Sequence, residues 1–161
     1  MKFPEKPGTA DYLKKSTVNK LILIDYPIKI LLVWFREGIF YMTGPRIFFV
    51  EDDEIVANII EWRLKKLGYT VCGSAKNGVD AITMIKEKKP DLVLLDIELK
   101  GPMDGIEMGS LLSSQTNIPF IYLTAHTEDS ILKRAKNTGS KGYVKKPFSD
   151  DDLRVAIELA L

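Results

Sequence analysis

The side chains best suited to chemistry in this sequence follow short apolar runs: Glu51 and Asp52, Asp96, Thr124, and the pair Lys145–Lys146. If these runs are neighbouring strands, their ends bring three carboxylates, a hydroxyl and an ammonium to one edge of a sheet. Carboxylates held so close repel each other, and a hard divalent cation removes that repulsion. Oxygen ligands suit Mg²⁺, and an acidic metal site beside a lysine suits a phosphoryl group. The sequence has no GxxxxGK[ST] loop, so nucleotide binding has no support.

The elements that must position these residues alternate between strand and helix five times. Apolar runs predict strands at 46–50, 70–75, 91–96, 119–124 and 141–145. Apolar residues at helical spacing predict a helix after each strand, with Asn77 as a cap and Gly68 as a stop signal. Strands without alternation are covered on both faces, which indicates a parallel sheet between helical layers. A doubly wound sheet of this kind has its site at the carboxyl ends of the strands.

Composition excludes several classes of protein. The chain has 161 residues, 45% hydrophobic and 28% charged, which is typical of globular proteins and not of collagen-like or disordered chains. A formal net charge of +1 argues against a basic nucleic-acid coat. The single cysteine, Cys72, excludes an intramolecular disulfide and a cysteine-cluster metal site. The single histidine, His126, argues against a histidine-rich zinc site.

A change in charge near residue 44 predicts two parts. Residues 1–44 carry seven basic and four acidic side chains, and residues 45–161 carry sixteen basic and eighteen acidic ones. We expect 1–44 to be an irregular N-terminal extension that can include a strand or short helix, and 45–161 to be one domain. The apolar stretch 21–35 is too short to span a membrane and is interrupted by charges, but a membrane-surface or partner-binding anchor stays open. Translation from Met42 would give 120 residues, so a non-native extension stays open too.

The second part resembles the receiver domain of two-component response regulators. Four motifs carry the resemblance over about residues 45–161: VEDDE at 50–54, LLDIELKGPMDGIE at 94–107, YLTA at 122–125 and GYVKKPF at 142–148. Each motif alone is weak, and their order and placement on successive strands make the match specific. The resemblance implies a doubly wound (βα)5, flavodoxin-like three-layer sandwich, with a five-stranded parallel sheet in the order 2-1-3-4-5.

The resemblance also implies roles for the acidic residues. Asp96 is expected to be the phosphoacceptor, a carboxylate nucleophile that takes a phosphoryl group from a phosphohistidine. The cofactor implied is Mg²⁺. Its expected ligands are Asp52 and Asp96 directly, Glu51 through water, and the backbone carbonyl of Glu98.

Further implied roles belong to the later strands. Lys146 is expected to pair with the phosphoryl oxygens, while Lys145 is expected to be exposed to solvent. Thr124 and Tyr143 are the expected switch: Thr124 moves toward the phosphoryl group, Tyr143 turns inward, and the surface of the fourth helix, fifth strand and fifth helix changes. Ordinary strand-edge packing is the alternative for Tyr143. The Lys146–Pro147 peptide bond is expected to be cis, as in the family.

Two positions are expected to tune the hydrolysis rate of the phosphoryl group, Glu98 and His126. Because no helix bundle is predicted around it, His126 itself is not expected to be a phosphohistidine. The loop from Asp96 to Asp104 is one residue longer than the commonest form in the family, and Lys100-Gly101-Pro102 lies inside it. The path of this loop is therefore the part of the site that the resemblance does not predict.

The function expected is that of a phosphoacceptor response regulator with a single receiver domain, a cytoplasmic signalling protein rather than a metabolic enzyme. Its expected partners are a sensor histidine kinase or histidine phosphotransferase and an unidentified downstream protein, with a phosphorylation-dependent dimer also allowed. No direct nucleic-acid contact is expected, because no DNA-binding element follows the fifth helix. No membrane span is expected either, because the stretch 21–35 is too short and is interrupted by charges. The alternative is a phosphorylation-independent protein-binding module. A hydrolase with an aspartate nucleophile would need a cap insertion, which the sequence lacks.

Overall fold

The computed structural model describes residues 18–26, 28–35, 38–42, 44–125 and 129–161 of the chain. Backbone contacts divide the chain into two units, Met1–Gly44 and Pro45–Leu161.

The first unit contains a three-stranded antiparallel sheet. Its strands are β1 (Val18–Tyr26), β2 (Ile28–Phe35) and β3 (Gly38–Met42), in the order β1-β2-β3. Ile24 pairs with Ile30, and Val33 pairs with Phe40. These strands lie within the N-terminal extension expected for residues 1–44, which is therefore regular rather than irregular over 18–26, 28–35 and 38–42. The physical reason is their content of β-branched and aromatic residues, which favour strands even where the run is short and interrupted by charges.

The second unit alternates strands and helices, as the periodicity predicts. The strands are β4 (Arg46–Val50), β5 (Thr70–Ala75), β6 (Leu92–Asp96), β7 (Phe120–Thr124) and β8 (Tyr143–Lys145). The helices are α1 (Glu54–Lys66), α2 (Gly78–Lys88), α3 (Gly105–Gln115), α4 (Asp129–Lys136) and α5 (Asp150–Ala160). All strand pairs are parallel, and the sheet order is β5-β4-β6-β7-β8. The predicted order 2-1-3-4-5 is confirmed.

Two buried clusters lie on opposite faces of this sheet. Phe48 and Val50 of β4 belong to the cluster that includes Ile85 of α2 and Leu112 of α3. Ile47 and Phe49 belong to the other cluster, with residues of α1 and α5: Ile60, Leu64, Leu153 and Ile157. Because neighbouring residues of a strand point to opposite faces, a continuous apolar run supplies both clusters at once. The result is a three-layer sandwich with its polar residues at the strand ends.

The helix starts follow the cap residues. Asp53 accepts hydrogen bonds from the backbone N–H groups of Ile55 and Val56 at 2.8 and 3.0 Å, which starts α1 directly behind β4. Asn77 caps α2 in the same way, as its position in the sequence predicts. Asp104 caps α3 through a reciprocal pair of hydrogen bonds with Glu107. Each of these three helices therefore begins at a cap residue in the loop that follows a strand, on the side of the sheet where the candidate site lies.

Helix α3 begins unusually close to the end of β6. A Cβ atom on Gly105 would lie 1.9 Å from the backbone oxygen of Asp96, so glycine is required at this position. The N–H of Gly105 donates to the carbonyl of Ile97 at 3.0 Å. This contact packs the start of α3 directly against the backbone of Asp96.

In the described residues, no helix has both the length and the apolar character needed to cross a membrane.

Candidate functional site

The strand ends bring the predicted residues to one edge of the sheet. Asp96 is the last residue of β6, Thr124 is the last residue of β7, and Glu51 directly follows β4. Strand pairing makes these ends neighbours, since Val50 lies opposite Leu95 and Asp96 lies opposite Leu123. Residues far apart in sequence therefore meet at the carboxyl edge of the sheet.

Three carboxylates form the centre of the site. Glu51, Asp52 and Asp96 each offer an oxygen, and these oxygens lie within 4.8 Å of one another. Glu51 and Asp96 are 2% and 3% exposed, so water screens their charges poorly. Backbone N–H groups support both: Asp53 donates to Glu51 Oε1 and Glu98 donates to Asp96 Oδ1, each at 3.2 Å.

Lys146 lies between two of these carboxylates. Its Nζ atom is 2.6 Å from Glu51 Oε2 and 3.1 Å from Asp96 Oδ2. The backbone N–H of Lys146 donates to the carbonyl of Thr124 at 2.7 Å, which holds the lysine beside β7. The Lys146–Pro147 peptide bond is cis, as expected. Lys145 is exposed, also as expected.

The pKa values of both members of this pair are shifted, for different reasons. Burial raises the pKa of the Glu51 carboxyl; the hydrogen bond from Lys146 opposes the rise, and the charge of Asp96 adds to it. For Lys146, burial acts to lower the pKa, but the hydrogen bond to Glu51 and the charge of Asp96 outweigh it, so its pKa is raised. Lys146 thus stays a cation where burial alone would favour the neutral amine.

A second lysine reaches the site from the loop between β6 and α3. Lys100 Nζ lies 2.8 Å from Asp52 Oδ2. The hydrogen bond to Asp52 and the charge of that carboxylate raise the pKa of Lys100. In the sequence, Lys100 lies in the loop between Asp96 and Asp104, and no motif gives it a role. The available signal is a basic residue four positions after Asp96, which does not show what the lysine contacts.

The two expected switch residues differ in exposure. Thr124 is fully buried, whereas Tyr143 is 48% exposed. They lie on neighbouring strands, where Thr124 pairs with Lys145 and Tyr122 pairs with Tyr143. His126, an expected rate-tuning residue, lies outside the described residues.

The donor set fits a small divalent cation. All the side-chain oxygens of the cluster belong to carboxylates, which are the hard ligands that Mg²⁺ prefers. A divalent cation would also reduce the repulsion among three neighbouring negative charges. Lys146, beside Asp96, could pair with a doubly charged anion attached to that residue. The arrangement is therefore suited to hold a metal ion and a phosphoryl group side by side.

Comparison with known families agrees with this geometry. A family model described as the response regulator receiver domain matches residues 47–158. The chain belongs to this family. The match covers the whole of the five-stranded unit except its first and last few residues. The resemblance that the motifs indicated is therefore confirmed.

Relatives of this receiver domain come from several bacteria. The transcriptional regulatory protein PdtaR of Mycobacterium tuberculosis is 34% identical over 130 residues, which cover 74% of this chain. The chain spans 63% of the length of that relative.

Solved receiver domains share the fold as well. The signal receiver domain of a modulated diguanylate cyclase from Desulfovibrio desulfuricans is 35% identical, with a TM-score of 0.69 over 73% of this chain and 93% of that structure. The BeF3-activated N-terminal receiver domain of RstA from Klebsiella pneumoniae is 33% identical, with a TM-score of 0.67 over 71% of this chain and 97% of that structure.

Proposed function

We propose that this receiver domain is a phosphoacceptor in a two-component system, and that Asp96 accepts the phosphoryl group. The observation that carries the proposal is the buried Asp96 carboxylate with the Lys146 ammonium at 3.1 Å. A nucleophilic carboxylate next to a fixed cation is suited to phosphoryl transfer, because the cation balances negative charge on the group that arrives. The proposed donor is a phosphohistidine of a sensor kinase or histidine phosphotransferase.

The transfer exchanges one bond to phosphorus for another. An oxygen of Asp96 attacks the phosphorus, the P–O bond forms, and the P–N bond to the donor histidine breaks with its electron pair leaving on the imidazole. Two contacts hold the Asp96 carboxylate at the strand end: the N–H of Glu98 donates to its Oδ1, and the Lys146 ammonium lies beside its Oδ2. The product is an aspartyl phosphate, whose hydrolysis would regenerate the carboxylate.

The acidic cluster is the proposed site of the cofactor. Glu51, Asp52 and Asp96, with the backbone carbonyl of Glu98, would hold Mg²⁺. When bound, the ion supplies positive charge next to the phosphoryl oxygens. Glu51 and Asp96 share Lys146, so the arrival of a phosphoryl group would give the lysine a new partner and change its contact with Glu51.

The proposed output is a change of surface around α4, β8 and α5. A phosphoryl group adds about two negative charges at the site. Thr124, buried at the end of β7, is the proposed residue that moves toward it, and the half-exposed Tyr143 would turn into the space behind. A downstream protein that prefers one of the two states would then detect phosphorylation. Glu98 and His126 are the proposed positions that tune how long the phosphorylated state lasts.

Intact mass spectrometry tests the proposal. The full chain is incubated with Mg²⁺ and a small phosphodonor such as acetyl phosphate, beside the variants Asp96→Asn and Asp151→Asn. We expect one added phosphoryl group in the wild type and in Asp151→Asn, whose side chain is exposed on α5, and none in Asp96→Asn.

The contrary result has a defined meaning. If no chain gains a phosphoryl group from acetyl phosphate or from a phosphorylated histidine kinase, while Mg²⁺ still binds, the proposal is wrong. A phosphorylation-independent protein-binding module would then be the better explanation of the fold.

A further inference from the structure

Two lysines divide the three carboxylates of the acidic cluster between them. Lys146 pairs with Glu51 and Asp96, and Lys100 pairs with Asp52. Each carboxylate thus has an ammonium partner. The two lysines differ in setting: the Lys146 side chain is 18% exposed and follows a strand, whereas the Lys100 side chain is 85% exposed and belongs to a loop.

Lys100 lies in a part of the loop that is open to solvent. Lys100 lies four residues after Asp96, and the next residue, Gly101, has a φ of +128°, a backbone conformation that glycine adopts without strain. A Cβ on Gly101 would meet no atom within 4 Å, so this part of the loop stands away from the body of the domain. Here the lysine side chain is solvated along its length, while its Nζ touches a carboxylate that is 14% exposed.

We propose that Lys100 is a built-in competitor for the divalent cation at Asp52. An ammonium group and a metal ion cannot both contact Asp52 Oδ2 closely, because their positive charges repel each other. Binding of the cation would therefore expel the Lys100 ammonium into solvent. This inference rests on the proposed function, since it concerns the Mg²⁺ that the phosphoacceptor site would use.

The competition between Lys100 and the cation has a limited strength. An ion pair with one exposed partner contributes little free energy, so the cation can displace Lys100 readily. Part of the binding free energy of the cation is nevertheless spent on breaking that pair. Lys100 would thus raise the Mg²⁺ concentration at which the site fills. Displacement would also release the loop that leads into α3 from its contact with Asp52.

Calorimetric titration of the full chain with Mg²⁺ alone tests this inference without any phosphorylation. Lys100→Met removes the charge but keeps most of the length of the side chain, and Lys100→Arg keeps the charge. At low salt, we expect Lys100→Met to bind Mg²⁺ about threefold more tightly than the wild type. Lys100→Arg should bind like the wild type. The advantage of Lys100→Met should shrink at high salt, because salt screens the exposed pair.

Lys76→Met is the matched control. Lys76 is another exposed lysine, and it pairs with Glu54, which does not belong to the carboxylate cluster. Its removal changes the net charge by the same amount as Lys100→Met. Because its partner lies outside the cluster, we expect Lys76→Met to change the Mg²⁺ affinity less than Lys100→Met does.

The possible contrary results separate this inference from the proposed function. Equal or weaker Mg²⁺ binding by Lys100→Met than by Lys76→Met would overturn the role of Lys100. If no chain binds Mg²⁺, both the inference and the proposed cofactor are wrong. If Mg²⁺ binds with the expected order of affinities and Asp96 is never phosphorylated, the inference stands and the proposed phosphoacceptor function fails.

Discussion

At the scale of single residues, Lys146 allows two buried carboxylates to lie side by side. Glu51 and Asp96 are almost fully buried, and as neighbouring anions they repel each other. The ammonium that contacts both oxygens reduces this repulsion. If one member of a buried ionic group is removed, the charge that remains is uncompensated. The free energy of unfolding then usually falls by more than the intact group contributed to it. Lys146 is therefore important for the site both before and during any phosphoryl transfer.

Lys146→Met should slow phosphorylation on the order of 100-fold, because a fixed positive group next to the developing charge is lost. The measurement is the rate of mass gain with acetyl phosphate and Mg²⁺. Lys145→Met is the matched control, since Lys145 is the exposed neighbour, and it should react at a rate near that of the wild type. Equal rates for the two variants would contradict the role of Lys146.

Residues that end strands could be predicted from the sequence, but a contact made by a loop side chain could not. Asp96 and Thr124 follow apolar runs, and a parallel sheet puts the ends of such runs together. The pair between Lys100 and Asp52 depends on the path of the loop between β6 and α3. No periodicity encodes that path, so only the structure shows that Lys100 reaches the cluster.

At the scale of elements, the start of α3 is fitted to the end of β6. Gly105→Ala would put a methyl group 1.9 Å from the Asp96 backbone oxygen, so β6 and α3 would have to move apart. We expect the free energy of unfolding to fall by about 1–3 kcal/mol, as for other substitutions that overfill a packed site. We also expect slower phosphorylation of Asp96. Urea unfolding and the mass assay measure the two effects.

Gly78→Ala is the control for this prediction. Gly78 is likewise the first residue of a helix, but the closest atom to its added Cβ would be the Sδ of Met103 at 3.0 Å, near the end of a flexible side chain. We expect a small change in stability and normal phosphorylation. A Gly105→Ala protein as stable and as reactive as Gly78→Ala would show that α3 can shift without cost.

Helices α1 and α5 are joined by Asp150 at the start of α5. Its carboxylate contacts Arg63 and accepts a hydrogen bond from Lys66 at 2.7 Å, both in the last turn of α1. The hydrogen bond from Lys66 and the charges of Lys66 and Arg63 lower the pKa of Asp150. A carboxyl whose pKa is lowered by folding stabilises the fold above its ordinary pKa, about 3.9, and this contribution disappears as pH falls through the lowered value.

Asp150→Asn should therefore lower the melting temperature at pH 7 and have a smaller effect in acid below pH 4. The measurement is thermal unfolding followed by circular dichroism at several pH values. Asp151→Asn changes the next residue, which is exposed and pairs with Arg154 of its own helix, and it should have the smaller effect at pH 7. An Asp150→Asn deficit that stays constant down to pH 3 would argue against the ionic contribution.

Elements differ in how well their sequences predict them. The helices of the second unit were predictable because caps such as Asn77 and Asp104 precede apolar residues at helical spacing. The strands of residues 18–42 were predictable only in part: the apolar run allows a strand, but Asp25 and Lys29 interrupt it and no clear period distinguishes a strand from a short helix. The contact between Asp150 and Lys66 joins residues 84 positions apart, which no local pattern encodes.

At the scale of the whole molecule, the second unit has its own core on both faces of its sheet. Among the residues whose burial the structure describes, the members of the two buried clusters lie between Ile47 and Ala160. The proposed site residues of the sheet edge, from Glu51 to Lys146, lie in the same unit. A unit that has its own buried core is expected to fold by itself.

We therefore expect the shortened chain Met42–Leu161 to fold and to bind Mg²⁺ with the affinity of the full chain. Its 120 residues contain every described member of both buried clusters. Far-ultraviolet circular dichroism and a cooperative thermal transition test folding, and calorimetric titration tests Mg²⁺ binding, with the full chain measured in parallel. An unfolded shortened chain would show that residues 1–41 stabilise the domain. A folded one that binds Mg²⁺ more weakly would instead show that they affect the site, and either result would contradict the independence argued from the core.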